Sequence, residues 1–211
     1  MKQLIPITLF LSIIVANPIA GQFRINISAG ANISNISLKE TSEIPFGSIT
    51  ESVTGYYLGV SPNLQLTDRL KFVFNTQFSQ KGFQYKEERS SLASSFRFTY
   101  LDIIPELELS VFQILSIGIG VNYGVRLREL NKSMDDEPWT ESNPSFSTGS
   151  DFGIAGKVKL NFGNLFIYTR FNRGVSSLAD ITFTDANGQE LTTTSPFNRN
   201  VQFGVGYSFG L

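Results

Sequence analysis

The chain has 211 residues and not one cysteine or histidine. Without cysteine there is no disulfide to brace an exported fold and no attachment point for a lipid anchor, so stability outside the cytoplasm has to come from the backbone hydrogen-bond ladder. Without histidine the commonest general base and proton shuttle is missing, which removes the usual basis of hydrolytic and acyl-transfer chemistry. Metal binding is reduced to hard oxygen ligands. Charge of one sign is lacking too: 17 Lys and Arg stand against 18 Asp and Glu, a net charge of −1, so no basic face is available for nucleic acid. Beyond residue 22 no apolar run approaches the roughly 20 residues of a membrane-spanning helix. Only one tryptophan is present, against 19 Phe and 7 Tyr.

What is there begins with a leader. Lys2 supplies a positive start, Leu4 to Val15 an apolar run too short to span a bilayer, and Ala16, Ala20 and Gly21 the small residues of a cleavage site. Residues 1–21 are therefore expected to be a cleaved signal peptide and residues 22–211 a single domain. An apolar content of 41% excludes a disordered chain.

The mature part alternates with a period of two. In Asn200 to Leu211 the odd positions Val201, Phe203, Val205, Tyr207 and Phe209 are apolar and the even ones, Gln202, Gly204, Gly206, Ser208 and Gly210, are small or polar. Such a strand has one oily and one wettable face, and an open edge of this kind invites aggregation unless it closes on the first strand. Phe23 to Ser34 alternates in the same way. Further strands are expected at Thr54 to Leu66, from Leu70 past Phe78, at Phe96 to Val111, Leu115 to Leu127, Phe152 to Phe162 and from Leu165 past Phe171. Pro62 lacks a donor and suggests a bulge in the second strand. The fourth strand changes phase, from Phe96 and Phe98 to Leu101 and Ile103, which suggests a one-residue bulge near Tyr100.

Short turns at Thr67-Asp68, Phe112 to Ile114 and Gly163-Asn164 alternate with long connections at Asn35 to Val53, Lys86 to Ser95, Glu129 to Phe146 and Gly174 to Asn198. The last contains a possible hairpin, Ile181 to Thr184 with Glu190 to Thr193. The fold class that follows is all-β: an eight-stranded antiparallel up-and-down transmembrane β-barrel with both termini on the short-turn, periplasmic side.

Two observations set the oily face outward. The polar face is rich in Gly, Ser and Asn, which fit a narrow bore. The apolar face carries essentially no charge mid-strand, where a lipid-facing Arg or Lys costs about 2–4 kcal/mol. The charges on the other face are then enclosed: Arg24, Lys71, Arg97, Arg126, Lys157, Lys159 and Arg170 against Asp102, Glu106, Glu108 and Asp151. Buried charges persist when paired, so a structural ion-pair network filling the bore, without a diffusive pore, is expected.

The segments FSQKGFQY (from Phe78), YLDIIPELEL (from Tyr100), GIGVNYGVRL (from Gly118) and the closing GVGYSF together resemble the small PorT-like outer-membrane β-barrel proteins of Bacteroidetes. The family's usual form is nearer YLEIP; the extra Ile here falls where the bulge is expected. The resemblance implies an eight-stranded barrel in the outer membrane and little about activity.

Catalysis is not expected. Glu106 and Glu108 share a face two residues apart, and pairing with neighbouring Lys and Arg is the simpler reading. Asp135, Asp136, Glu137 and Glu141, or Asp185, Asn187 and Glu190, could present oxygens to Ca²⁺ without matching the spacing of a calcium loop, so no metal and no cofactor is expected. Asn26-Ile-Ser28, Asn32-Ile-Ser34 and Asn131-Lys-Ser133 match a glycosylation pattern that chance produces freely. Trp139, in an acidic loop, is a candidate binding anchor or a membrane-boundary residue. The function class is a non-catalytic barrel presenting its outer loops to a surface ligand or envelope partner; the alternatives are an accessory part of a secretion machine and a narrow channel. The expected partner is the outer-membrane bilayer around a monomer.

Overall fold

The computed structural model describes residues 23–38, 48–87, 93–133, 137–142, 148–179, 181–184 and 189–210; the expected leader lies outside them. The elements are β1 (Phe23–Leu38), β2 (Ser48–Gln65), β3 (Leu70–Glu87), β4 (Ala93–Ser110), β5 (Leu115–Lys132), β6 (Thr140–Glu141), β7 (Ser150–Phe162), β8 (Leu165–Gly174), β9 (Ile181–Thr184), β10 (Glu190–Thr194) and β11 (Pro196–Gly210). Eight of them form a closed antiparallel ring, β1-β2-β3-β4-β5-β7-β8-β11. Closure runs from Arg24 opposite Gly210 to Leu38 opposite Pro196, so the last strand does cover the first. The two-residue β6 adds to the end of β5, and β9 with β10 forms a separate hairpin.

The alternation decides which face meets which medium. Ile119 is 72% exposed, Tyr56 66% and Val205 55%, whereas Asn32, Asp102 and Gln202 on the opposite faces are fully enclosed. This is the inverse of a soluble barrel: the oily face looks out and the polar face fills the bore. Short turns close one end. Gly163 adopts φ 64°, which the two-residue turn with Asn164 requires, and the Leu70 amide donates to Thr67 Oγ1 at 3.1 Å.

The bore is packed by rings as well as by polar groups. Tyr57 reaches across to Tyr168 and Phe166. A Cβ on Gly204 would fall 1.6 Å from the Tyr57 hydroxyl, so this inward glycine is the space the tyrosine occupies. Towards the long-connection end, Ile36, Phe83, Phe98, Tyr100 and Leu178 form a second apolar cluster.

Three expectations need correcting. The strands are longer than the alternation marks: β1 continues to Leu38, β2 begins at Ser48, β3 ends at Glu87 and β5 at Lys132. Beyond the oily belt the outer face turns polar while the inner face stays buried around Ile36 and Phe83, so the ladder continues without the pattern; outward-facing Arg97, Arg128, Arg173 and Arg199 mark that edge. Second, Pro62 makes no bulge. Val60 pairs with Thr76 and Asn63 with Val73 in unbroken register, and the shift lies higher, between Ser52 and Tyr57.

Third, β4 itself is straight, pairing with β3 from Leu70–Leu109 to Lys86–Ala93 without interruption. The irregularity is in its partner: Thr99 pairs with Arg128 and Tyr100 with Arg126, so the extra residue is Leu127 of β5. Phe98 and Tyr100 are apolar on the inner face because they belong to the internal cluster.

Val121 is the midpoint of the outward run on β5. The variant Val121→Arg is expected to lose about 2–4 kcal/mol of stability, by urea unfolding in lipid vesicles, while Val121→Leu stays near wild type.

Candidate functional site: the charged interior

The inner faces of β3, β4, β7, β8 and β11 bring most of the enclosed charge into one connected column. Nearest the long connections, Lys81 Nζ lies 3.0 Å from Asp102 Oδ1 and 3.0 Å from Asp151 Oδ2. It also sits 4.8 Å from the centre of the Tyr100 ring. The second Asp102 oxygen accepts from Ser79 Oγ at 2.5 Å and from Gln77 Nε2 at 3.3 Å.

Gln77 is the link to the next group, for its Oε1 accepts from Arg170 Nη1 at 3.2 Å. Arg170 also donates to Gln202 Oε1 at 3.0 Å and, through Nε, to Glu106 Oε1 at 2.7 Å. Lys157 Nζ then bridges Glu106 Oε2, at 2.5 Å, and Glu108 Oε2, at 3.0 Å. Lys159 completes the column on Glu108 Oε1. Four cations, Lys81, Lys157, Lys159 and Arg170, thus face four carboxylates, Asp102, Asp151, Glu106 and Glu108, with every side chain in the column 7% exposed or less.

Of the residues singled out in the sequence, Asp102, Glu106, Glu108, Asp151, Lys157, Lys159 and Arg170 meet in this column. Arg126 faces inward at the long-connection end and pairs separately with Glu129 at 2.5 Å. Arg24 and Lys71 line a cavity at the short-turn mouth, apart from the column.

Arg97 is not in the bore. With Phe98 and Tyr100 pointing in, Arg97 points out, and its guanidinium stacks 4.3 Å from the centre of the Trp139 ring. Lys132 approaches the same ring at 5.6 Å. Trp139 is therefore half-buried against two cations on the outer surface, one residue before β6.

Two partners were missed. Lys81 shares odd parity with Lys71, Asn75, Gln77 and Ser79, and the outward Phe72, Phe74 and Phe78 mark that parity as internal. Glu129 is hidden from any parity argument by the extra Leu127, which turns it onto the same face as Arg126.

Among the described residues no group of three or more acidic side chains is placed to hold a metal ion. Glu141 pairs instead with Arg128 at 3.0 Å. Asp135, Asp136, Asp185 and Asn187 lie outside the described residues.

The profile of the outer membrane protein beta-barrel domain matches residues 16–180, which takes in the ring from β1 to β8. The chain belongs to that family. Membership places this barrel in the lipid bilayer of the outer membrane. Among solved structures it is similar in fold to the attachment invasion locus protein Ail of Yersinia pestis, at 12% identity over 89% of this chain and 99% of that one, TM-score 0.48. It is similar also to OprG of Pseudomonas aeruginosa, at 15% identity over 91% and 98%, TM-score 0.44. A third is the outer membrane protease OmpT of Escherichia coli, at 9% identity over 90% and 97%, TM-score 0.38. No curated protein matches the chain in sequence.

Removing one member of a buried pair strands its partner. Arg170→Met is expected to destabilise this outer-membrane barrel by about 3–5 kcal/mol in a denaturant titration, and Arg170→Met with Glu106→Gln by measurably less, because the second change removes the uncompensated charge.

Proposed function

We propose that the protein is a non-catalytic integral barrel whose interior is closed to diffusion and whose long connections form a presenting surface outside the cell, with Trp139 as a binding anchor there. The observation that carries this reading is the ion-paired column. Both oxygens of Glu106 and both of Glu108 are engaged by Lys157, Lys159 or Arg170, which leaves neither carboxylate free as an acid or base. The same side chains cross an eight-stranded bore that is about wide enough to be filled by its own residues.

The short turns, the start of β1 and the end of β11 share one side, which supports periplasmic termini, and the N-terminal leader supports export with cleavage after residue 21. The segments FSQKGFQY, YLDIIPELEL, GIGVNYGVRL and GVGYSF support grouping the chain with PorT-like barrels. That grouping favours a second reading, an accessory part of a secretion or assembly machine. Deleting the gene separates the two: under the first reading, export of other proteins continues.

Two measurements test the first reading. Wild-type protein in planar bilayers is expected to show no unitary conductance, whereas Glu106→Ala with Arg170→Ala opens measurable steps. Because the chain has no native thiol, Ser133→Cys and Asn164→Cys give clean reporters of sidedness. A membrane-impermeant maleimide added to whole cells is expected to label the first and spare the second.

A further inference from the structure

The short-turn mouth of the barrel holds a cavity of about 190 Å³ between the turn at Gly163 and the inner ends of β1, β3, β4 and β7. Arg24, Lys71 and Lys159 line it, and among the described residues the only carboxylate in its wall is Glu108. Glu108 is already shared between Lys157 and Lys159. Arg24 and Lys71 therefore have no ion-pair partner among the described residues, in contrast to the four cations of the column, each of which has a carboxylate within 3.0 Å.

A second observation points the same way. Asn63, in the wall and 6% exposed, leaves its Nδ2 donor without a hydrogen-bond partner. Val73 and Phe166 supply apolar wall, which lowers the local dielectric and strengthens any ionic contact made there. The volume lies below the roughly 300–1,000 Å³ of pockets for drug-sized ligands, and holds about six waters at ~30 Å³ each.

We propose that this mouth is a binding pocket for a phosphate-class oxyanion. Lys71 and Arg24 supply the charge, Lys159 the base of the pocket and the Asn63 amide a neutral donor. A tetrahedral oxyanion with part of its hydration shell fits the space, and it meets the two cations that have no ion-pair partner among the described residues. The inference goes beyond the proposed function and stands whether or not the barrel conducts.

The test uses the mature chain refolded in a maltoside detergent, free of phosphate groups, and followed by backbone amide NMR. Inorganic phosphate is expected to give saturable shifts at Asn26, Asn63 and Ser208, with potassium chloride at matched ionic strength giving none. Arg24→Ala with Lys71→Ala, checked for folding by its heat-dependent gel mobility, is expected to weaken binding at least about tenfold.

Phosphatidylglycerol doped into the micelles separates the sources. Saturation by inorganic phosphate assigns a free ion, and saturation by the lipid alone assigns a headgroup. Shifts that are linear and equal to those of chloride overturn the proposal. So does binding unchanged in the double variant. Should that variant fail to fold, the wild-type shift map decides by itself: saturable shifts confined to the cavity sustain the pocket, and shifts elsewhere refute it.

Discussion

With hydrocarbon on the outside, every polar group of this ring has to find its partner on the inside or within the ladder. That requirement explains the most unusual feature of the interior, a charge-balanced column running from Asp151 through Lys81, Asp102, Gln77, Arg170, Glu106, Lys157 and Glu108 to Lys159. Two neutral side chains make it continuous. Gln77 donates to Asp102 and accepts from Arg170, and Gln202 gives Arg170 a further acceptor.

A buried ion pair is weak evidence of net stabilisation, since desolvation offsets most of the attraction. Its value here is in telling the two faces apart. If the bore were apolar, a one-residue slip of any strand would exchange one oily face for another at little cost. With Glu106 and Glu108 on β4 facing Lys157 and Lys159 on β7, the same slip would put charge into lipid. The column therefore specifies register, and it does so between strands far apart in the chain: Lys81 and Asp151 are joined across 70 residues.

The strand count, the turns and the outward faces were legible in the sequence because a lipid-facing strand repeats every two residues with few exceptions. Legibility failed where the environment stopped alternating. Past the oily belt the outer face is polar as well, so the ends of β1, β3 and β5 read as loops. At the long-connection end the bore itself is apolar, so Phe96 and Phe98 read as outward residues ahead of a bulge near Tyr100, and Arg97 as inward for the same reason. The extra Leu127 reversed parity on β5, which hid Glu129. Lys81 was within reach of the pattern, since its parity is that of Gln77 and Ser79.

The two ends of the bore are built differently, and the difference bears on what each can do. Above the column, Ile36, Phe83, Phe98, Tyr100 and Leu178 line the interior with apolar surface, against which an ion or a sugar gains nothing. Below it, the wall carries Arg24 and Lys71 with no carboxylate to spare. Since the column between them is charge-balanced, with a carboxylate on every cation, a ligand entering from the short-turn side meets attraction only as far as Lys159. Going further would require breaking the Glu108 and Glu106 pairs in succession, each of which leaves a buried charge unmatched.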